Sequence, residues 1–165
     1  AFGQKADALY QITHQIKRHA RQPVIMKLSP NVTDITEMAR AAEAAGADAL
    51  SLINTITGMK IDIHRRKFAI ANRTGGMSGP AIKPIAVRMV YQAAQAVQIP
   101  VIGMGGIATA EDAIEFLLAG ASAVSIGAMN FVNPYTTLEV IQGIEQYMEK
   151  YHVEKVTDLI GAVEG

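Results

Sequence analysis

The stretch 41-AAEAAGADALSLI-53 has a close echo later in the chain, 115-EFLLAGASAVSIG-127. In both, the end of a helical pattern is followed by a glycine and then by a short apolar run typical of a buried strand. A second echo joins 22-QPVI-25 to 99-IPVI-102, where a proline opens the strand. A helix–glycine–strand unit that recurs is the building block of a (β/α) barrel. The sequence therefore predicts repeated βα units.

Four such units can be outlined along the chain. The strand runs are apolar throughout instead of alternating, which predicts a parallel sheet covered on both faces. Helix starts are marked by the N-cap candidates Thr33 and Thr109 and by Pro84 near the first turn of a third helix. The predicted strands are 24–28, 47–53, 100–103 and 123–126. The predicted helices are 4–20, 33–45, one from Pro84 onward, 109–120, 134–150 and a shorter one near 154–163.

Two glycine-centred turns follow the last two strands, 102-IGMGGI-107 and 125-SIGAMN-130. Glycines before a helix let backbone N–H groups approach an anion, and paired turns of this kind hold phosphate after strands seven and eight of a TIM barrel. Either turn alone is equally typical of an ordinary βα connection, but the pair favours a phosphorylated ligand. We therefore predict an α/β fold, a TIM (β/α)8 barrel, in which residues 1–165 form about the last four βα units and leave two strand edges open.

Composition excludes several classes of function. Half of the residues are apolar, and 15 Lys and Arg balance 15 Asp and Glu, so nothing indicates a nucleic-acid or membrane partner. No apolar run is long enough to span a bilayer, and the absence of cysteine fits a cytoplasmic protein. The four histidines have no metal-like spacing, and no metal site is expected. Because the chain begins at Ala1 without an initiator methionine, we expect a processed or truncated product.

Polar side chains stand where two predicted strands end. Lys27 closes the first strand, where a cation aimed into a ligand site competes with a lysine whose head reaches solvent. Asn54 and Thr55 end the second strand, and an amide beside a hydroxyl can recognise the donors and acceptors of a planar heterocycle. A turn or capping role for Asn54 and Thr55 is equally compatible with the sequence.

Residues 54–80 form an unusually long connection in which no helix is predicted. Apolar residues alternate on both sides of the basic run 64-HRRK-67, which predicts a hairpin with a basic tip. This tip could be a lid or a docking surface for a partner, although a solvated turn is the simpler interpretation of the charges. The whole chain offers binding groups and a cation but no convincing general base, so no catalytic residue is predicted and the chemistry is expected to depend on a cofactor.

Several motifs together resemble one known family. The chain closely resembles dihydroorotate dehydrogenase, in particular the class 1B catalytic subunit, an FMN-binding TIM barrel. The resemblance extends over essentially all 165 residues, in order. Its motifs are 27-KLSPNV-32, 53-INT-55, 75-GGMSGPAIKP-84, 102-IGMGG-106 and 126-IGA-128.

The resemblance implies roles for nine residues. Lys27 would lie against the flavin pyrimidine ring and stabilise negative charge on the reduced isoalloxazine, Ile53 would pack on the flavin, and Gly79 would contact it through its backbone. Asn54 and Thr55 would hydrogen-bond the substrate pyrimidine. The FMN phosphate would be held by Gly105, Gly106, Gly127 and Ala128.

The reaction implied by the resemblance is FMN-dependent oxidation of dihydroorotate to orotate in pyrimidine biosynthesis. In the class 1B enzymes the base is a cysteine upstream of the position where this chain starts, so we expect the isolated chain to be nearly inactive. The family implies an electron-transfer subunit carrying FAD and an iron–sulfur cluster, and we also expect a homo-oligomer. The alternatives are another FMN-dependent pyrimidine-oxidising or pyrimidine-reducing barrel, or a non-catalytic phosphate-binding half-barrel.

Overall fold

A computed structural model describes residues 2–165, and Ala1 lies outside the described residues. The strands are short and fall into one parallel sheet and two antiparallel pairs. In chain order they are β1 (Ile25–Lys27), β2 (Ala49–Leu52), β3 (Ile56–Met59), β4 (Ile61–Asp62), β5 (Lys67–Phe68), β6 (Thr74–Met77), β7 (Val101–Met104) and β8 (Ala123–Ser125).

Helices precede the sheet and follow each of its strands. They are α1 (Ala6–His19), α2 (Ile35–Ala44), α3 (Lys83–Ala96), α4 (Ala110–Leu118), α5 (Met129–Val132) and α6 (Thr136–Lys150). Single 3₁₀ turns lie at Phe2–Gln4, Pro80–Ile82 and Val156–Leu159. No helix in the described part of the chain is both long and apolar enough to cross a membrane.

The parallel sheet has the order β1-β2-β7-β8. Its register aligns Ile25 with Ala49, Leu50 with Val101, and Ile102 with Ala123. Each of these strands leads through a connection into a helix, which is the arrangement of four successive units of a (β/α)8 barrel. The predicted fold is therefore confirmed, with β1 and β8 as the two edges of the sheet.

The N-cap residue was predicted correctly for α4 but not for α2. Thr109 caps α4 as predicted, because its side chain accepts from the Asp112 N–H while Asp112 accepts from the Thr109 N–H. The prediction of Thr33 as the cap of α2 is wrong. Asp34 caps that helix, with Oδ1 2.8 Å from the Thr36 N–H. Both residue types cap well, so sequence preference could not separate these neighbours.

The predicted final helix near 154–163 is also wrong. The chain there makes only the 3₁₀ turn Val156–Leu159, which ends when Ile160 becomes extended. Leu159 is buried, so this turn is held by its packing on the domain. Gly161 donates its N–H to the Leu117 carbonyl at 2.9 Å, which turns the chain along α4 instead of letting the helix continue.

The core lies between the sheet and helices α2, α3 and α4. Leu50 and Leu52 of β2 and Phe116 of α4 are fully buried in it. Gly103 in β7 allows the close approach of α4, since a Cβ there would lie 2.6 Å from Cδ1 of Phe116. Burying a side chain of this size contributes about 1.5–3 kcal/mol, so this contact is a major attachment of α4 to the sheet.

Residues 54–80, named the arm here, leave the domain between β2 and α3. Strands β3 and β6 pair antiparallel at its base, with Thr57 opposite Gly76. Further out β4 pairs with β5, with Ile61 opposite Phe68, which is the hairpin whose tip carries the basic run. The basal β3–β6 pair was not predicted, because the glycines in these strands weaken their β-strand signal.

Candidate functional site

One cavity of about 220 Å³ lies at the carboxyl ends of the parallel strands. The end of each strand of that sheet contributes to its wall, together with both ends of the arm. All nine residues singled out from the sequence line it: Lys27, Ile53, Asn54, Thr55, Gly79, Gly105, Gly106, Gly127 and Ala128. Six further residues, not predicted from the sequence, also line the cavity: Ser78, Ile82, Met104, Ile107, Ser125 and Met129.

Lys27 is the last residue of β1 and faces this cavity. Its side chain is exposed and not buried within the sheet, so its ammonium keeps its hydration. Among the residues that the structure describes, no carboxylate forms a salt bridge with it. Lys27 therefore provides a positive charge to any ligand at this end of the sheet.

Gly105 and Gly106 form a tight turn directly after β7. Their φ angles are +123° and +82°, a region that side chains rarely adopt. A Cβ on Gly106 would lie 2.8 Å from the Gly79 carbonyl oxygen and 2.9 Å from the Lys83 nitrogen. The turn after β7 is thus pressed against the backbone at the end of the arm, and both glycines are required for it.

Gly127 and Ala128 lie after β8, on the other side of the cavity. A Cβ on Gly127 would meet no atom within 4 Å, in contrast to Gly106. In the described residues, the backbone N–H groups of Gly105, Gly106, Gly127 and Ala128 donate to no protein acceptor. Four free donors from two neighbouring turns suit an anion with several oxygen atoms.

Ile53, Asn54 and Thr55 follow β2 and cross the base of the cavity. Ile53 is buried, and its N–H donates to the Met104 carbonyl at 2.9 Å. The peptide bond between Leu52 and Ile53 is cis. The Asn54 N–H donates to the Leu28 carbonyl at 3.0 Å, and its Oδ1 accepts from the Thr55 N–H at 2.7 Å. The Asn54 and Thr55 side chains are exposed at the cavity, available to a polar ligand.

An ion-pair cluster that the sequence analysis missed lies behind the glycine turn. Lys83, the first residue of α3, places Nζ 2.6 Å from Oδ1 of Asp112 and 3.0 Å from the Glu115 carboxylate. Oδ2 of Asp112 accepts from the N–H groups of Ala108 and Thr109 at 2.9 and 3.0 Å. This cluster joins the end of the arm to the segment that follows Gly106. The capping box 109-TAED-112 was its only sequence signal.

The charges of this cluster stabilise each other. The hydrogen bond to Asp112 is the main reason that the pKa of Lys83 is raised, with Glu115 adding to it against the cost of burial. Burial disfavours the charged form of Asp112, but Lys83 and the two backbone N–H groups outweigh it and lower the pKa of that carboxyl. Both groups are therefore charged at neutral pH, and the brace behind the turn is intact there.

The arm is positively charged, and the rest of the chain carries the compensating negative charge. It contains five Lys or Arg residues and one carboxylate, although the whole chain has a formal net charge of zero. Arg65 at its tip is 82% exposed, and its Nε lies as far as 3.7 Å from Oδ2 of Asp62, so this ion pair is weak. The tip contributes none of the fifteen residues that line the cavity.

Comparison with known proteins shows the family. A family model described as "Dihydroorotate dehydrogenase" matches residues 1–148. The catalytic subunit of dihydroorotate dehydrogenase B (NAD(+)) from Lachnoclostridium phytofermentans is 69% identical over 163 residues, which is 99% of this chain and 54% of that protein. The corresponding subunit from Alkaliphilus oremlandii is 60% identical over 97% of this chain and 53% of that protein.

The chain thus spans about half the length of the curated relatives it matches. A solved structure of dihydroorotate dehydrogenase from Eimeria tenella, in complex with ferulenol, superposes with a TM-score of 0.79 at 23% identity. The match includes 96% of this chain and 48% of the chain in that structure, so the fold is that of half a TIM barrel. The match of the family model and the high identity to these subunits establish that this chain belongs to the dihydroorotate dehydrogenase family.

Proposed function

We propose that this chain is the C-terminal half of an FMN-dependent dihydroorotate dehydrogenase that oxidises dihydroorotate to orotate in pyrimidine biosynthesis. The observation that carries the proposal is the convergence of nine family-motif residues, from four strand ends, on one cavity. They supply three things that the reaction requires: backbone donors for a phosphate, a cation beside the flavin, and an amide and a hydroxyl that can bind a pyrimidine. The names of the two relatives described above support the same activity.

The phosphate of FMN would bind at the two glycine turns. The four residues whose backbone N–H groups have no acceptor among the described residues line this part of the cavity, and neither Gly106 nor Gly127 has a side chain that would block an anion. The Gly79 backbone and the buried Ile53 would border the flavin ring. When bound, FMN supplies the hydride acceptor that the side chains of this chain lack.

Lys27 would hold positive charge beside the flavin pyrimidine ring. Its ammonium lies on the cavity wall with no carboxylate partner in the described residues, so its charge is not already neutralised. Asn54 and Thr55 would bind the substrate ring through their amide and hydroxyl groups. Oxidation removes a hydride and a proton from adjacent substrate carbons, and we assign the proton acceptor to the upstream half of the enzyme.

A partner subunit is the second element of this proposal. The relatives are named as catalytic subunits of an NAD(+)-dependent enzyme. Electrons would leave through an electron-transfer subunit that carries FAD and an iron–sulfur cluster. We further propose a cytoplasmic homo-oligomer, each barrel of which is completed by the upstream half of the enzyme pairing at the open edges β1 and β8.

The decisive experiment measures flavin retention. This chain is joined to the upstream half of the Lachnoclostridium phytofermentans subunit, mixed with FMN, desalted and examined by visible absorption. We expect about one flavin per chain. Lys27→Ala and Gly105→Asp should release it, the latter because a carboxylate would repel the phosphate. A colourless parent protein that is folded by circular dichroism would refute the proposed cofactor site.

Activity is measured on the same protein. The flavin-loaded parent should convert dihydroorotate to orotate, seen as growth of the ultraviolet absorption of orotate, with a chemical electron acceptor in place of the partner subunit. The 165-residue chain alone, tested in parallel, should be nearly inactive. A parent that retains FMN but turns over no dihydroorotate would favour a different pyrimidine substrate.

A further inference from the structure

Asn31 lies in the loop between β1 and α2 and is not one of the residues that line the cavity. Its carboxamide nevertheless makes two hydrogen bonds to the segment that carries the pyrimidine-recognising pair. Nδ2 donates to the Thr55 carbonyl at 3.1 Å, and Oδ1 accepts from the Thr57 N–H at 2.9 Å. A single side chain thus binds both polar backbone groups that flank Ile56.

The orientation of this amide is fixed by its partners. A carbonyl only accepts and a backbone N–H only donates, so the two bonds can form in one orientation of the carboxamide. Ser29 supports that orientation, because its Oγ lies 3.3 Å from Nδ2 and 3.2 Å from the backbone nitrogen of Asn31. Asn31 is therefore held by its own loop before it contacts the arm.

The two bonds made by Asn31 hold a segment that lies between two strands. Thr55 falls between the end of β2 and the start of β3, and no strand neighbour among the described residues binds its carbonyl. The Asn31 carboxamide acts there as a substitute for a neighbouring strand. The Thr55 side chain lies against Gly76, where a Cβ would be 2.7 Å from the Thr55 Cβ. Asn31 thus contacts the backbone of Thr55, and Gly76 contacts its side chain.

We propose that Asn31 is a positioning residue for pyrimidine recognition, which orients the Asn54 and Thr55 side chains by binding the backbone on either side of Ile56. This inference rests on the proposed function, and it extends that function to a residue that does not touch the ligand. Without the carboxamide, the Thr55 carbonyl and Thr57 N–H would bind water, and the segment would have to be ordered when substrate binds.

The test uses the same flavin-loaded protein, composed of this chain and the upstream half of the Lachnoclostridium phytofermentans subunit. Orotate binding is measured by isothermal titration calorimetry for the parent, Asn31→Ala and Asn31→Leu, which keeps the volume without the hydrogen bonds. Asn72→Ala is the matched control, since Asn72 is an exposed arm residue whose side chain makes no hydrogen bond within the described residues. Hydrogen exchange of peptides that contain residues 54–57 is followed in parallel.

We expect both Asn31 variants to retain FMN and to bind orotate roughly tenfold more weakly, as the loss of about two ordinary hydrogen bonds predicts. Exchange at residues 54–57 should rise. In turnover, the KM for dihydroorotate should rise more than kcat falls. The Asn72→Ala control should match the parent in each measurement.

Three results would overturn the inference while leaving the proposed function intact. They are unchanged orotate binding, unchanged exchange at 54–57, and a loss of orotate binding that follows a loss of FMN. Should Asn31→Ala fail to fold, the volume-conserving Asn31→Leu variant decides by the same criteria. A parent protein that binds FMN but no orotate would instead refute the proposed substrate.

Discussion

The two sides of the cavity are held in place by different means. At the glycine turn after β7, the proposed phosphate-binding groups are backbone N–H groups, and the turn is braced from behind by Lys83 and Asp112. At the base of the arm, the proposed substrate-binding groups are the exposed side chains of Asn54 and Thr55, whose segment is held by the Asn54 bond to Leu28 and by the Asn31 carboxamide. The glycine site requires residues without a side chain, because a Cβ would fill the turn. The Asn54 and Thr55 site instead requires contacts that orient the two side chains.

Substituting Gly106 should have the largest effect, and it tests the backbone side of this comparison. In Gly106→Ala the new Cβ would clash with the Gly79 carbonyl and the Lys83 nitrogen at a φ of +82°. We expect a loss of roughly 2–4 kcal/mol in the free energy of unfolding, measured by urea denaturation, together with loss of FMN.

Gly127→Ala is the matched control for that experiment. A Cβ on Gly127 meets no atom within 4 Å and its φ is not left-handed, so stability should change by less than about 0.5 kcal/mol. FMN affinity should still fall, because the methyl group would occupy the approach to the phosphate. Equal destabilisation by the two substitutions would remove the distinction between a constrained and an open turn.

Breaking the brace behind the turn should have the next largest effect. Lys83→Met leaves the Asp112 carboxylate, whose side chain is 15% exposed, without its cation. We expect a loss of about 1–3 kcal/mol in the free energy of unfolding, read from denaturant midpoints. The double variant Lys83→Met/Asp112→Asn should recover part of this loss. Strict additivity in the double-mutant cycle would contradict a direct interaction between the two side chains.

The same pair predicts a dependence of stability on pH. Because folding lowers the pKa of Asp112, its contribution is present above the ordinary carboxyl pKa of 3.8 and is lost as the pH falls through the lower folded value. Because folding raises the pKa of Lys83, its contribution is lost only as the pH rises beyond 10.5. Thermal unfolding of the parent and Asp112→Asn should therefore differ at pH 7 and converge as the pH falls below 3.8 and through the lower folded pKa of Asp112.

The arm tip should contribute least. Arg65→Ala should change the free energy of unfolding by less than about 0.5 kcal/mol, because its ion pair with Asp62 is long and exposed. Flavin retention and orotate affinity should equal those of the parent, in contrast to the Asn31 variants at the base of the same arm. A tenfold loss of orotate binding would mean that the tip reaches the ligand site.

Much of the site was predictable because its residues stand in local patterns. Lys27, Asn54 and the glycines of 102-IGMGG-106 each follow an apolar run, and parallel strands bring their carboxyl ends to the same edge of the sheet. Lys83, Asp112 and Asn31 were not found, because their partners are distant along the chain: Lys83 lies 29 residues from Asp112, and Asn31 lies 26 residues from Thr57. The assigned roles of the nine residues toward FMN and substrate remain predictions.

The sequence by itself determined the βα repeat, the family and the residues that meet at the cavity, since these depend on hydrophobic periodicity, on glycine placement and on motif identity. The tertiary structure decided that Asp34 and not Thr33 caps α2, that β3 and β6 form the base of the arm, and that Lys83 braces the glycine turn. The sequence could not determine the cap of α2, because Thr33 and Asp34 are neighbours of types that both cap helices well, and the Asp34 bond reaches only to Thr36. The other two features depend on residues far apart along the chain, and local propensities do not specify which distant donor and acceptor the fold brings together.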